Sequence, residues 1–318
     1  MRSPLVTVIA PTYPHKPFLE QRIKSILNQA FEDFELILLD DCSSDESILI
    51  LDKYKNHPKV RAHIYNKVNT GKPILQWERG IANANGEFVW IAESDDYSDS
   101  DFLKHSVEFL RKNIDAGLVY SQSLDVDSEG KHVQHRINYT DEFKPNIWKN
   151  NFIIEGTEFI NSYMKVKNVI PNASAVVFRK SLVESSFFRD DSIANLKMCA
   201  DWLFWIKLVR KTRVGFLKEP RNFFRIHKSV SRNHISIDRQ KQRIVEEVYV
   251  RNYLEKIKGL TQKSFLIILF EKWLRLSQSS FRSELYIMKK LKNSNLRLLF
   301  LSFYFRNKLK ILRSISRL

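Results

Sequence analysis

The chain has 318 residues, and its 52 lysines and arginines against 36 aspartates and glutamates give a formal net charge of +16. Hydrophobic residues make up 43% of the chain, which excludes an intrinsically disordered protein because a core of ordinary size can be buried. Two cysteines, Cys42 and Cys199, exclude a disulfide framework and a cysteine-rich zinc site, and they favour a reducing compartment.

Short apolar runs alternate with amphipathic stretches along the first part of the chain, which is typical of buried strands and crossover helices. Strands are predicted at residues 5–10, 34–39, 60–65, 88–92 and 118–121. Helices are predicted between them at residues 18–29, 45–55, 73–84 and 100–112. This order predicts an α/β fold with a mostly parallel sheet flanked by helices, whose ligands bind at the carboxyl ends of the strands.

A second segment follows a polar stretch that ends near residue 151. It contains a predicted strand at 173–178, a helix at 201–211 and two short strands at 214–217 and 222–226. Beyond Asp238 the pattern is helical almost to the end, and no apolar run approaches the ~20 residues that span a bilayer. We therefore predict a domain at 1–235, a basic helical C-terminal region at 236–318, and no transmembrane helix.

Polar and acidic side chains follow three of the predicted strands. They are Pro11-Thr12-Tyr13 after the first strand, Asp40-Asp41-Cys42-Ser43-Ser44-Asp45 after the second, and Glu93-Ser94-Asp95-Asp96 after the fourth. Since the ends of parallel strands share one edge of a sheet, we expect these side chains to converge. Helix capping is the alternative for each cluster alone, with Ser43 or Ser44 before the second helix and Asp99 or Ser100 before the fourth.

Glu93, Asp95 and Asp96 place three carboxylates within four residues, and these repel one another unless a cation or hydrogen-bond donors offset their charge. Oxygen ligands in a loop favour Mg²⁺ or Mn²⁺ over zinc, and such an ion bridges a carboxylate to a diphosphate. Lys72, after Gly71, adds a cation for a phosphate. The alternatives are a solvated acidic turn and a solvated surface lysine.

Several short motifs occur in a fixed order over roughly residues 4–115. They are residues 6–13, 25–29 (Ser-Ile-Leu-Asn-Gln), 34–45, 69–71 (Asn-Thr-Gly) and 84–87 (Ala-Asn-Gly-Glu). In order and spacing they resemble family 2 glycosyltransferases of the GT-A fold. A weaker likeness continues through residues 170–174, 200–202 and 224–227 and ends near residue 235.

The resemblance implies a nucleotide pocket at the first strand ends. Thr12 and Tyr13 would line this pocket, and Asp40 would recognise the base. Lys72 lies just after the matching Asn-Thr-Gly motif. Glu93 occupies the first acidic position of the family's metal motif, where an aspartate is usual, so its contact with the ribose or the metal is left open.

The resemblance also implies a metal site and a catalytic base. Asp95 and Asp96 match the end of the acidic metal motif, and His227 matches a late contact with the diphosphate or the metal. Asp201 matches the base of inverting members, although the usual Glu-Asp pair is Ala200-Asp201 here. The alternative for Asp201 is an N-cap of its helix.

The resemblance therefore implies transfer of a sugar from a nucleoside-diphosphate sugar, a UDP-sugar above others, to a hydroxyl of a glycan or lipid-linked acceptor in cell-surface polysaccharide synthesis. One alternative is a sugar nucleotidyltransferase, whose usual Gly-rich basic loop is missing after the first strand. The other is a non-catalytic binder of nucleic acid or another polyanion, which would leave the acidic clusters unexplained. Nucleic acid is therefore not an expected partner.

The C-terminal tail carries the strongest charge asymmetry, with nine basic and no acidic residues between Leu285 and Leu318. On a helix, one stripe would be basic and a neighbouring face apolar. The basic stripe is Arg306, Lys310, Arg313 and Arg317, and the apolar face is Phe305, Leu309, Leu312 and Ile315. This pattern predicts a cytoplasmic protein docked peripherally on an anionic membrane. The alternative is packing of the apolar face on the catalytic domain.

Overall fold

A computed structural model describes residues 3–189, 191–227, 236–258, 263–277, 289, 297–298, 300–302 and 304–306. The chain divides into two compact units, Met1–Val230 and Ser231–Leu318. The first unit is built on a sheet of ten strands, and the second contains two long helices.

The strands of the first unit alternate with helices in its first half. The strands are β1 (Val6–Thr12), β2 (Phe34–Asp40), β3 (Val60–Tyr65), β4 (Phe88–Ile91), β5 (Tyr97–Ser98), β6 (Ala116–Val126), β7 (His132–His135), β8 (Phe152–Glu155), β9 (Val176–Arg179) and β10 (Arg213–Arg225). The helices are α1 (Lys16–Leu27), α2 (Ser47–Tyr54), α3 (Pro73–Asn83), α4 (Phe102–Lys112), α5 (Gly156–Phe159), α6 (Ser186–Arg189), α7 (Asp191–Ala194) and α8 (Ala200–Val209). The strand order is β3-β2-β1-β4-β9-β6-β10-β5, with β7 on β6 and β8 on β10.

The first four strands run parallel, as the sequence predicts. Every residue of β1 and β2 is buried, since helices pack on both faces of the sheet. Val6, Val8 and Ala10 belong to a core cluster shared with α1, α2 and α4. On the other face, a Cβ at Gly80 of α3 would come within 2.4 Å of Ile9, so only glycine allows this close approach.

The second half of the sheet is mixed. The prediction of a mostly parallel sheet holds for β1–β4, but β9 runs antiparallel to both β4 and β6. The physical reason is the position of the preceding turn, Ala173–Ala175, where Ser174 Oγ accepts a hydrogen bond from the backbone N–H of Glu93. A strand that begins at the carboxyl edge of β4 has to run back across the sheet.

The last strand of the unit, β10, is a single element of 13 residues. The prediction of two short strands at 214–217 and 222–226 is therefore wrong. The register of β10 on β6 shifts on both sides of Pro220, so the interruption read from the sequence is an irregularity within one strand. Such a bulge accommodates a proline, which has no N–H to donate.

Helix starts also differ from the predicted caps. The first helical residue of α2 is Ser47, whose backbone N–H lies 3.2 Å from Asp45 Oδ1, so a cap at Ser43 or Ser44 is wrong. Asp45 also accepts the backbone N–H of Lys16 at 2.8 Å, at the start of α1. The position before α4 is Asp101, not Asp99 or Ser100, although Asp99 accepts the N–H of Asp101.

The second unit contains α9 (Ile237–Lys258) and α10 (Lys263–Ser277), which share a small core. Its buried residues are Ile244, Val245, Val248, Leu266, Leu269, Phe270, Trp273 and Phe300. Among the described residues, no helix combines the length and the apolarity needed to cross a bilayer. Phe305 and Arg306 are exposed, and the remainder of the basic stripe and its apolar neighbours, within 307–318, lies outside the described residues.

Candidate active site

The ends of β1 and β2 form the first part of the site. Thr12 and Asp40 are direct neighbours in the parallel ladder, and both are buried. Asp40 Oδ2 accepts the backbone N–H of Ser43 at 2.9 Å. Thr12 Oγ1 and Asp40 Oδ1 have no hydrogen-bond partner among the residues that the structure describes. Leaving a buried polar atom unpaired costs about 1–3 kcal/mol, so this pair indicates a place for a polar ligand. Tyr13 is 41% exposed beside it.

Asp41, next to Asp40, stabilises the loop before α3. Its carboxylate accepts hydrogen bonds from the side chains of Asn66, Thr70 and Gln76 and from the backbone N–H of Thr70. These bonds fix the loop that precedes α3, in which Gly71 has a left-handed φ of 61°. Lys72, at the N-cap of α3, follows this loop and is half-buried.

Glu93 follows β4 on the same edge of the sheet. Trp77 of α3 donates its indole N–H to Glu93 Oε1 at 2.7 Å, and the Trp77 ring packs against Phe204 and Trp205 of α8. Burial, reinforced by the charge of Asp95, raises the pKa of Glu93 to about 8. Without a bound cation, this carboxyl therefore carries a proton over much of the neutral range.

Asp95 and Asp96 are adjacent in sequence but have different partners. Asp96 is buried, and its Oδ1 accepts the backbone N–H of Arg225 at 3.0 Å. Burial and the charge of Asp95 raise the pKa of Asp96 to about 6. Burial opposes ionisation of Asp95 as well, but the hydrogen bond from His227 and the two neighbouring imidazoles lower its pKa. Asp95 is thus the carboxylate that stays ionised.

His15, Asp95 and His227 form a compact group of potential metal ligands. One ligand atom from each lies within 4.8 Å of the other two, and all three side chains are half-buried. The distance from Asp95 Oδ2 to His227 Nε2 is 3.2 Å, and the two imidazole rings meet edge to face at 5.5 Å. One carboxylate and two imidazoles fit a divalent metal ion. Of the three metal ligands predicted from the sequence, the group contains Asp95 and His227 but not Asp96.

His15 is the member of this group that was not predicted from the sequence. The available signal was its position, three residues after Thr12 and hence beside the end of β1. Burial lowers the pKa of His15 and so favours the neutral ring, which has one nitrogen lone pair available.

Two buried arginines support the acidic loop. Arg225 donates to the backbone oxygens of Asp95, Asp127 and Ser128, each at 2.9 Å, and so fixes the end of β10 two residues before His227. Arg22 of α1 is fully buried 4.9 Å from the centre of the Trp90 ring, and its guanidinium nitrogens have no hydrogen-bond partner in the described part of the chain. Burial lowers the pKa of Arg22 to about 10, and the charges of Asp96, Asp95 and Glu93 oppose that shift.

Asp201 lies in the first turn of α8. The helix begins at Ala200 after an N-cap at Cys199, so the alternative of Asp201 as the N-cap is wrong. Its Oδ2 accepts the side-chain N–H of Asn168 at 2.9 Å, and its Oδ1 accepts the backbone N–H of Trp202 at 2.7 Å. The carboxylate is therefore held in one orientation while remaining half-buried.

Solved structures define the class of fold. Staphylococcus aureus TarS 1-349 in complex with UDP-GlcNAc superposes with a TM-score of 0.59 at 19% identity, covering 94% of this chain and 89% of that chain. The Pyrobaculum calidifontis mannosyltransferase PcManGT, in complex with GDP-Man and Mn²⁺, superposes with a TM-score of 0.52 at 15% identity, covering 99% of this chain and 80% of that chain. The chain is an α/β protein of the GT-A class, as the sequence predicts.

Sequence comparison identifies the family. Residues 7–184 match the model of Glycosyl transferase family 2, and the chain belongs to this family. A Campylobacter jejuni protein, GalNAc(5)-diNAcBac-PP-undecaprenol beta-1,3-glucosyltransferase, is 26% identical over 259 residues, 81% of this chain and 74% of that protein. An uncharacterized glycosyltransferase of Haemophilus influenzae is 34% identical over 113 residues, 36% of this chain. The chain spans 45% of the Haemophilus protein and 20% of Escherichia coli chondroitin synthase.

Proposed function

We propose that the chain transfers a sugar from a nucleoside-diphosphate sugar to an acceptor hydroxyl during synthesis of a cell-surface polysaccharide or glycan. The observation that carries this proposal is the Asp95–His227 pair. It shares the carboxyl edge of the sheet with the oxygens of Thr12 and Asp40 that have no hydrogen-bond partner among the described residues. A cation site beside a polar pocket suits a nucleoside diphosphate. Membership in family 2 favours sugar transfer over the nucleotidyltransferase and polyanion-binding alternatives.

The donor would bind along this edge, with a UDP-sugar as the expected class. Asp40 Oδ1 accepts no hydrogen bond from the described residues, and the N–H of a uracil base would donate one. Thr12 and Tyr13 would line the same pocket, Lys72 would face the diphosphate, and Glu93 would lie near the ribose. The complex of TarS with UDP-GlcNAc supports this class of donor.

A divalent ion, Mg²⁺ or Mn²⁺, would be held by Asp95 and His227. When bound, such an ion offsets the charge that develops on the departing nucleoside diphosphate. The Mn²⁺ complex of PcManGT supports this cofactor class. Asp96 is already engaged with Arg225, so we assign it a positioning role for Asp95 instead of the ligand role predicted from the sequence.

Asp201 would act as the catalytic base of an inverting transfer. The acceptor oxygen attacks the anomeric carbon and forms the new C–O bond, its proton passes to Asp201, and the bond to the diphosphate breaks with its electron pair. The hydrogen bonds from Asn168 and Trp202 hold the carboxylate ready for this step.

The acceptor would be a glycan or a lipid-linked saccharide. The basic tail beyond residue 285 supports docking of the protein on the cytoplasmic face of an anionic membrane, where a lipid-linked acceptor is accessible. The Campylobacter relative, named for an undecaprenol-linked saccharide, also favours this class of acceptor.

Thermal unfolding of the full chain with a panel of UDP- and GDP-sugars, with and without Mn²⁺, tests the donor assignment. A ligand at 100 times its Kd adds about 2.7 kcal/mol to the unfolding free energy, so a UDP-selective increase in Tm is expected. Asp40→Ala should abolish this increase, whereas Glu108→Gln on the exposed face of α4 should retain it. If no nucleotide sugar raises the Tm of the wild-type chain, the proposal is wrong.

A further inference from the structure

The proposed cation site contains one potential metal ligand that was not predicted from the sequence. We infer that His15 is a third protein ligand, so that two imidazoles and one carboxylate bind the ion and select Mn²⁺ and other first-row transition ions over Mg²⁺. The location of the ion rests on the proposed function, whereas the identity of the third ligand and the selectivity rest on His15 itself.

The distances suit direct coordination. Two ligands about 2.1 Å from one ion lie about 3 Å apart in cis positions and about 4.2 Å apart in trans positions. Asp95 Oδ2 and His227 Nε2, which share a hydrogen bond at 3.2 Å, already have the cis spacing, and a bound ion would replace the shared proton. Since the ligand atoms of all three residues lie within 4.8 Å of one another, movements of about 2 Å or less would complete the set.

The environment of His15 also favours the role of a ligand. Its Nδ1 lies 2.7 Å from Ser94 Oγ, and a metal-binding histidine usually uses its second ring nitrogen in such a hydrogen bond. When Nδ1–H donates to Ser94, the lone pair is on Nε2, which is then available to the ion. Ser94 directly precedes Asp95, so one loop both supplies the carboxylate ligand and orients the imidazole ligand.

The chemical type of the ligand atoms determines which metal ions bind well. Mg²⁺ prefers oxygen ligands and gives up its water reluctantly, whereas imidazole nitrogen suits transition ions. An acidic loop acting through oxygen atoms alone would bind Mg²⁺ and Mn²⁺ comparably. With His15 and His227 both bound, we expect at least about a tenfold preference for Mn²⁺ over Mg²⁺.

A purely structural role for His15 is the competing explanation, because its ring hydrogen-bonds Ser94 and packs edge to face on His227. Metal binding separates the two roles without an activity assay. Mn²⁺ binding to the full chain is titrated by electron paramagnetic resonance, Mg²⁺ is measured by competition, and electron spin echo modulation counts the coordinated ¹⁴N nuclei. Thermal unfolding of each variant without metal checks that it folds.

The wild-type chain should show two coordinated nitrogens, and both His15→Ala and His15→Gln should show one. Each of these variants should lose at least about tenfold in Mn²⁺ affinity, the range seen for supporting residues of metal sites, with less than about threefold change for Mg²⁺. Ser94→Ala should weaken Mn²⁺ binding about tenfold while both nitrogens remain. His105→Ala, at a half-buried position of α4, is the matched control and should bind Mn²⁺ as the wild type does.

The outcomes separate this inference from the proposed function. If the wild type binds Mn²⁺ with a single nitrogen, or His15→Ala binds it with unchanged affinity, His15 is not a ligand and the metal-assisted function stands. Equal affinity of the wild type for Mg²⁺ and Mn²⁺ overturns the selectivity. If the wild type binds neither ion, with or without UDP, the metal-assisted function itself is overturned.

Discussion

Replacing Asp201 by asparagine is the sharpest perturbation of the proposed mechanism. The amide is nearly the same size as the carboxylate but cannot accept a proton from the acceptor hydroxyl. A general base contributes about 10²–10⁴-fold to the rate, so turnover should fall by that factor. Donor affinity should change little, because the donor contacts assigned above come from other residues.

The structure also sets the cost in stability. Asp201 accepts a hydrogen bond from the side-chain N–H of Asn168 at 2.9 Å and another from the backbone N–H of Trp202. The amide of Asp201→Asn has a single oxygen. Its N–H₂ group would therefore face either the Asn168 donor or the Trp202 donor, and one of the two bonds would be lost. Rotating Asn168 does not help, since its Oδ1 accepts the backbone N–H of Ile170 at 3.2 Å. One hydrogen bond is lost in each case, at about 1–3 kcal/mol. The expected decrease in Tm is about 2–4 °C per kcal/mol for a unit of this size.

Turnover and donor affinity should be measured on one preparation, at least 15 °C below the Tm of the variant. Asn168→Ala is the matched control: it removes the same hydrogen bond but leaves the carboxylate, so its turnover should fall far less than that of Asp201→Asn. Near-normal turnover in Asp201→Asn, or an equal loss in Asn168→Ala, would refute the assignment of Asp201 as the base.

Three further predictions concern the acidic loop and the tail. Asp95→Asn should abolish Mn²⁺ binding, measured by isothermal titration. Asp96→Ala leaves the buried N–H of Arg225 unpaired, so it should mainly lower the unfolding free energy, by about 1–3 kcal/mol in urea unfolding. In the presence of a chelator, the pKa of Glu93 is raised from 4.5 in the unfolded chain to about 8 in the folded chain. Between these two pH values the folded chain keeps a proton on Glu93 that the unfolded chain releases. Stability should therefore fall as pH rises from 5 to 8, and fall less in Glu93→Gln; equal slopes in urea unfolding would contradict this. The full chain should sediment with anionic liposomes at low salt, whereas a chain that ends at Asn295 should not. If both chains remain in the supernatant, membrane docking is excluded.

The parallel half of the fold could be predicted because its strands are buried on both faces. Continuous apolar runs separated by amphipathic helices then leave few topologies, and the acidic residues at the strand ends fall on one edge. Thr12 and Asp40 do lie side by side there, as expected. The direction of β9 could not be read in this way, because its four residues carry no signal of the turn that precedes them.

The metal group illustrates a different limit. Asp95 and His227 are 132 positions apart, and only the motif likeness suggested that they belong together. His15 matched no motif, and a single histidine after a proline has no local pattern that marks it as a ligand. Asp96 was predicted as a ligand from its charge and from its match to the acidic metal motif, but a backbone N–H from β10 engages one of its oxygens. Which of two neighbouring carboxylates faces a cation depends on such long-range contacts.

The position of β10 has a consequence for synthesis of the protein on the ribosome. Residues 213–225 fill the place between β6 and β5, whose strands leave the ribosome about a hundred residues earlier. Until then, the edge of β6 that later receives β10 displays unpaired backbone groups along a largely apolar strand, and such edges promote aggregation of nascent chains. Slow translation between β6 and β10, or a shortage of chaperones, should therefore reduce the yield of this protein more than its final stability suggests. Coexpression of a holding chaperone would be a practical first step in producing it.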